Sequence, residues 1–176
     1  MREECGSGMP KPPFYYLLCN HWTQGGIGFA FRSGWLNGRR YEKTYSSAYT
    51  IHKMLDAADD FPGLKVSMEL DAYLYEEVAK EDPACIERLK RYIREGKAGV
   101  DGGTYGQPFG QDYGWEPNIR HLTFGRRAIR ETLGVDVRAF LVEEQWFHPQ
   151  LPQLLTQAGF RYASLQNQDS GQVMPM

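Results

Sequence analysis

The sequence predicts an α/β fold built on a parallel sheet of about five strands. Three observations predict it. Five short apolar runs have the length of strands. The stretches between them change to a 3.6-residue apolar period. Nothing between consecutive runs reads as a hairpin turn, so the strands are joined by helical crossovers and run parallel.

The runs, in order, are Tyr15–Asn20, Leu64–Leu70, Ala98–Asp101, Arg138–Glu143 and Tyr162–Gln166. Before the second, Tyr45, Ala48, Tyr49, His52 and Leu55 share one face of an expected helix. Ile86, Leu89 and Ile93 stripe the next helix, which Gly96 is placed to end. Ile119, Leu122, Ile129 and Leu133 stripe a longer one ending at Gly134, and Leu151, Leu154, Leu155 and Ala158 a short one ending at Gly159. Pro83, Pro117 and Pro149 suit helix first turns, where a missing N–H costs nothing. Two Gly-rich segments, Trp22–Arg40 and Gly102–Gly114, carry no periodicity, and long loops of this kind in a compact domain are usually functional. The expected organisation is a disordered tail over 1–13, one α/β domain over 14–168, and a tail or truncation point over 169–176.

Composition narrows the partners. The 176 residues carry a formal net charge of −2 and no basic run, which argues against nucleic acid and against an anionic membrane. No segment approaches the roughly 20 apolar residues of a membrane span. Cys5, Cys19 and Cys85 form neither a disulfide framework nor a CxxC zinc pattern, so a reducing, cytoplasmic setting is the expectation. Aromatic residues are plentiful, with 11 Tyr, 9 Phe and 4 Trp. Rings of this kind stack on the apolar face of a sugar, although they also fill cores.

In parallel α/β folds the C-terminal ends of the strands face the active-site side. That rule collects Asn20, His21 and Trp22, then Glu69 and Asp71, then Asp101, Tyr105 and Gln107. From the last two strands come Glu143, Glu144, Gln145 and His148, with Gln166 and Asn167. Polar groups gathered at one end of every strand are poorly explained by core packing. Glu69, Asp101, Gln107 and Glu144 are suited to sugar hydroxyls, and Trp22 and Tyr105 to stacking. His52 and His121 fall on helices and read as structural.

The order Gly102-Gly103-Thr104-Tyr105, Glu116-Pro117-Asn118-Ile119-Arg120, Phe124-Gly125-Arg126-Arg127 and Gly134-Val135 resembles family 38 glycoside hydrolases, the α-mannosidases. So do Phe140-Leu141-Val142-Glu143, Leu151-Pro152-Gln153-Leu154-Leu155 and Ala158-Gly159-Phe160. The likeness spans about Tyr15 to Gln168, and family 57 enzymes look similar around Glu143. It implies the parallel (β/α) barrel of the seven-stranded glycoside hydrolase/deacetylase type, incomplete in this chain at about five strands, and retaining α-mannosidase-like cleavage with Glu143 as the carboxylate nucleophile. It also implies zinc held by His21 and Glu143. The His-x-His-x-Asp zinc motif departs at two places, where Cys19 and Thr23 stand. The family's acid/base carboxylate has no counterpart within these residues. The second reading is therefore a truncated or catalytically defective relative that binds carbohydrate. The expected partners are a carbohydrate substrate and either a second copy of the chain or the remainder of a longer one.

Overall fold

In a computed structural model, which describes residues 47–106, 110, 113–142 and 149–165, helices and parallel strands alternate as the apolar runs require. The first expected strand and the long loop after it lie outside the described residues.

Helix α1 (Ser47–Asp60) buries Ala48, Ile51, Leu55 and Ala58. Spacings of three, four and three residues make these a single stripe. This face is rotated from the expected one: Tyr49 is exposed beside Lys53, and His52 is turned to the neighbouring helix. Strand β1 (Val66–Leu70) starts two residues later than expected, with Leu64 left at the surface.

A helix that the apolar pattern did not single out follows at once. Helix α2 (Ala72–Glu81) buries Ala72, Leu74, Tyr75 and Val78. It meets α3 (Pro83–Arg94) at Asp82, whose carboxylate accepts the Cys85 N–H at 3.0 Å and caps α3, with Pro83 in the first turn. The same carboxylate lies 3.2 Å from His52 Nε2, while Arg88 reaches His52 Nδ1, Asp56 and Asp59. Since the guanidinium can only donate, His52 Nδ1 accepts and Nε2–H faces Asp82. This network ties α1 to α3, so His52 is structural, as expected.

Strand β2 (Ala98–Gly102) pairs parallel with β1, and β3 (Ala139–Val142) pairs parallel with β4 (Tyr162–Leu165). The single sheet expected is thus two parallel pairs. β2 and β3 lie side by side, but among the described residues no ladder joins them. β2 leaves the extended conformation at Gly102 and Gly103, whose φ values are +91° and +90°.

Helix α4 (Trp115–Leu133) ends on Gly134 in the left-handed conformation, where the absence of a Cβ removes the steric cost. Helix α5 (Leu151–Gln157) begins two residues beyond Pro149, and Pro152 rather than Pro149 occupies its first turn. Arg126 fastens the two regions: its guanidinium donates to Ala158 O and to Asp136, and it lies over the Phe160 ring. The core runs continuously from α1 through the strands to α5, with Ile51, Leu55, Met68, Leu89, Leu122 and Phe140 sealed from solvent. Among the described residues no helix is long and apolar enough to cross a membrane.

Candidate functional site

The two faces of the β1–β2 pair are chemically distinct. Met68, Leu70, Ala98 and Val100 point to the helices and are buried. Ser67, Glu69 and Asp101 alternate to the opposite face and are only half-buried. A parallel sheet covered by helices on both sides carries apolar residues on both faces. The polar face here is the one turned away from the helices that cover Met68 and Val100, and Glu69 and Asp101 stand in the strands' C-terminal halves.

On that face Glu69 and Asp101 are register partners in the ladder. Neighbouring strands lie about 4.8 Å apart, so the two carboxylates are side by side. Ser67 Oγ donates to Asp101 Oδ2, fixing that carboxylate's rotamer from one turn of the pleat below. Gly99, opposite Ser67, has no side chain to intervene.

Asp71 extends the same row by two residues. It precedes α2, where an aspartate ordinarily accepts a helix N–H, yet it makes no capping bond. The reason is in the next loop: the Ala72 and Tyr73 N–H groups donate instead to Thr104 O at 3.0 Å and Tyr105 O at 3.2 Å. The freed carboxyl is 7% exposed, and burial alone pushes it up to about 7. It is thus half protonated near neutrality, unlike an ordinary carboxylate. The Tyr75 hydroxyl, which donates to Met68 O at 3.4 Å, is held far above its usual range by burial, then by the charges of Asp101, Glu69 and Asp71. One buried hydroxyl feels all three carboxyls, which places them in one neighbourhood.

Tyr105 follows β2 and packs against α2. Its hydroxyl donates to Glu76 Oε2 at 3.0 Å and its ring lies 6.3 Å from that of Tyr73, leaving it 37% exposed. The backbone of this segment is clamped from both sides. Tyr105 N–H donates to His121 O at 2.9 Å, and Gly106 N–H to His121 Nδ1 at 3.3 Å. His121 is half-buried, which lowers its proton affinity and leaves Nδ1 free to accept. A Cβ on Gly125 would fall 2.3 Å from Gly103 O, and one on Gly103 would fall 2.8 Å from the Phe160 ring. The glycines of the Gly102-Gly103 and Phe124-Gly125 motifs are therefore where helix, loop and strand backbones touch.

Of the residues selected from sequence, the fold brings Glu69 and Asp101 together, while the Tyr105 side chain lies against Tyr73 and Glu76 of α2. His21, Trp22, Gln107, Glu143 and Glu144 lie outside the described residues. Asp71 was collected by the strand-end rule but not ranked, although its spacing from Glu69 already put it on the same face. Ser67 was missed. Its signal is the same alternation, one step earlier. Among the described residues, one cluster has the donors and proximity of a metal site, namely His52, Asp82 and Cys85 in the helical layer. Arg88 occupies the other nitrogen of His52, and burial pushes the Cys85 thiol up to about 12, so hydrogen bonding accounts for the cluster.

Comparison with known proteins agrees with this architecture. An α-amylase of Pyrococcus horikoshii is 24% identical over 157 residues, covering 89% of this chain and 23% of the relative. A 4-α-glucanotransferase of Thermococcus litoralis is 21% identical over 154 residues, covering 88% of this chain and 21% of the relative. The crystal structure of a 4-α-glucanotransferase from Thermococcus litoralis superposes with a TM-score of 0.62 at 20% identity, over 81% of this chain and 20% of that one. The likeness shows a shared fold, and the chain spans about a fifth to a quarter of the length of these relatives. The model of the glycosyl hydrolases family 38 N-terminal domain matches residues 32–173, most of the chain and every described element, and to that family the chain belongs.

Proposed function

We propose that the chain supplies the nucleophile side of a retaining, α-mannosidase-like active site in a seven-stranded barrel, acting on an α-linked carbohydrate. The observation that carries this reading is the polar strand face, where Glu69 and Asp101 are register partners at the C-terminal end of a parallel pair. Anionic carboxylates there accept hydrogen bonds from sugar hydroxyls, and Tyr105 offers a ring to the sugar's apolar face. Trp22, Gln107 and Glu144 are assigned to the same substrate. Glu143 is the nucleophile that attacks the anomeric carbon as the glycosidic C–O bond breaks and the leaving oxygen takes a proton from a carboxylic acid, and water then hydrolyses the glycosyl–enzyme bond. Asp71, half protonated near neutrality, is suited to donating a hydrogen bond to a sugar oxygen that the two anions cannot serve.

Zinc at this place would be held by His21 and Glu143, with Asp101 or Glu69 to complete the usual three protein ligands, because threonine at position 23 is a poor ligand. Bound there, it would polarise a sugar oxygen. The steps assigned above rest on the carboxylates. The amylase and glucanotransferase relatives favour an α-glucan as the alternative substrate. The departures at Cys19 and Thr23 favour the second reading, a relative that binds carbohydrate without cleaving it.

The test compares the protein with its Glu143→Gln variant on aryl α-mannosides and aryl α-glucosides. The expected result is a loss of several orders of magnitude in turnover with sugar binding retained. Near wild-type hydrolysis by the variant removes Glu143 as nucleophile. Binding without hydrolysis by the unaltered protein selects the non-catalytic reading.

A further inference from the structure

The middle of the β1–β2 pair is built from residues that do little for a sheet. Ser67 stands opposite Gly99 in the register, one alternation below Glu69 and Asp101. A glycine inside a strand loses more freedom on folding than any other residue and packs no side chain, so its place there calls for a reason. The hydroxyl beside it supplies one. A Cβ on Gly99 would already stand 3.4 Å from Ser67 Oγ, and a bulkier side chain would crowd it. The bare glycine keeps that hydroxyl clear for Asp101, to which it donates at Oδ2.

Glu69 and Asp101 are like charges in register, an arrangement that disfavours the fold. They are held in different ways. Among the described residues Ser67 alone donates to Asp101, and it does so from β1, so the carboxylate of β2 is drawn toward the neighbouring strand. Asp101 Oδ1 is left for another donor. Glu69 is steered by packing. A Cβ on Gly102 would lie 3.4 Å from Glu69 Cγ and 3.4 Å from Leu141 O, so the Glu69 stem passes over that glycine on the side of β3. The anchor on Asp101 therefore opposes the rotation that repulsion by Glu69 favours.

Two acceptors fixed side by side call for two donors side by side. Among the described residues the donor set close enough for a bare cation lies in the helical layer, at His52, Asp82 and Cys85, and not on this face. Hydroxyls on neighbouring carbons of a sugar ring supply one donor to each carboxylate, in charge-assisted bonds.

We infer that Ser67 is a positioning residue for carbohydrate recognition, holding Asp101 beside Glu69 so that the pair accepts hydrogen bonds from two adjacent hydroxyls of one sugar ring. This rests on the carbohydrate reading proposed above, and it adds the feature of the sugar that is read.

The test is a thermodynamic cycle between the Ser67 hydroxyl and the hydroxyls of the ligand. Methyl α-mannoside, methyl α-glucoside and their singly deoxygenated counterparts are titrated calorimetrically into the unaltered protein and into Ser67→Ala and Ser67→Thr. In the unaltered protein, removal of either of two neighbouring hydroxyls should weaken binding roughly tenfold, and removal of the others should change it little. Ser67→Ala should weaken the intact sugar roughly three- to tenfold and erase most of the penalty for one of those two hydroxyls, the one held by Asp101. Ser67→Thr keeps the donor and should restore both. If Ser67→Ala does not fold, Ser67→Cys carries the same comparison, because its thiol is a weak donor of nearly the same size. A serine that only supports the strand would weaken every ligand equally and leave each deoxygenation penalty in place. That outcome, unchanged affinity in Ser67→Ala, or sensitivity to hydroxyls that are not neighbours overturns the inference while the carbohydrate reading stands. An unaltered protein that binds neither sugar overturns that reading and the positioning role with it.

Discussion

Replacing Asp71 with Asn isolates the energetic cost of the buried carboxyl. Burial raises Asp71 from 3.8 to about 7, with no cation or hydrogen bond among the described residues offsetting it. The folded chain thus keeps a proton that the unfolded chain releases, and stability falls as pH rises through the interval between the two values. The contribution is absent below about pH 4 and complete above about pH 7, where three units amount to about 4 kcal/mol of destabilisation. Between pH 5 and pH 8 the change is about 2.5 kcal/mol. Asn has nearly the same shape and no ionisation. Its amide carries its own burial cost, but that cost does not vary with pH. Urea unfolding at intervals across this range, on both proteins, gives the difference directly, because every other titrating group is common to the two. The Asp71→Asn variant should gain about 2.5 kcal/mol relative to the parent from pH 5 to pH 8. Parallel stability curves would refute the claim that the carboxyl is buried without compensation.

Two further outcomes follow from the packing. Gly125→Ala would stabilise an isolated helix by about 1 kcal/mol, but here the new Cβ meets Gly103 O at 2.3 Å, and the expected net effect is a loss of about 3 kcal/mol in thermal or urea unfolding. Asp82→Ala should cost about 1 kcal/mol through the lost cap on α3, whereas Asp82→Asn, an equally good cap, should restore it. The Cys85 N–H and then His52 hold the Asp82 carboxyl below its ordinary value, so the deficit of the Ala variant should shrink as acid protonates the parent.

Where the sequence could be read, the reading depended on local signals that tertiary contacts did not override. Gly96, Gly134 and Gly159 all take the positive φ that ends a helix, and the strand runs after Leu64 stand within two residues of their expected starts. α2 escaped notice because its buried set, Ala72, Leu74, Tyr75 and Val78, contains two adjacent positions and two small or aromatic residues, a blurred stripe beside that of α3. The face of α1 was misjudged because Tyr49 and His52 count as apolar in a pattern, but the Tyr49 ring lies under the Lys53 ammonium and the His52 ring faces Asp82. At the site, alternation placed Glu69 and Asp101 on one face, but their pairing needs the register, which no local pattern encodes. The same holds for Asp71. Its raised proton affinity comes from burial, a property of the folded chain that no local pattern encodes.

The way the Gly102–Tyr105 segment is secured bears on how specificity can diverge. Its path is set by backbone groups meeting backbone groups: Thr104 O and Tyr105 O on α2, and Tyr105 N on α4. Glycines stand where a side chain would collide, at 103 and 125, or would strain a left-handed backbone, at 102. None of those bonds involves the Tyr105 ring. The loop is therefore a fixed mount with an exchangeable tip, in which position 105 can pass from one aromatic to another, or to a polar residue, without the strand end shifting. Glycines 102, 103 and 125 have no such freedom. In a lineage under selection for new sugars, variation should accumulate at the tip while the mount stays constant.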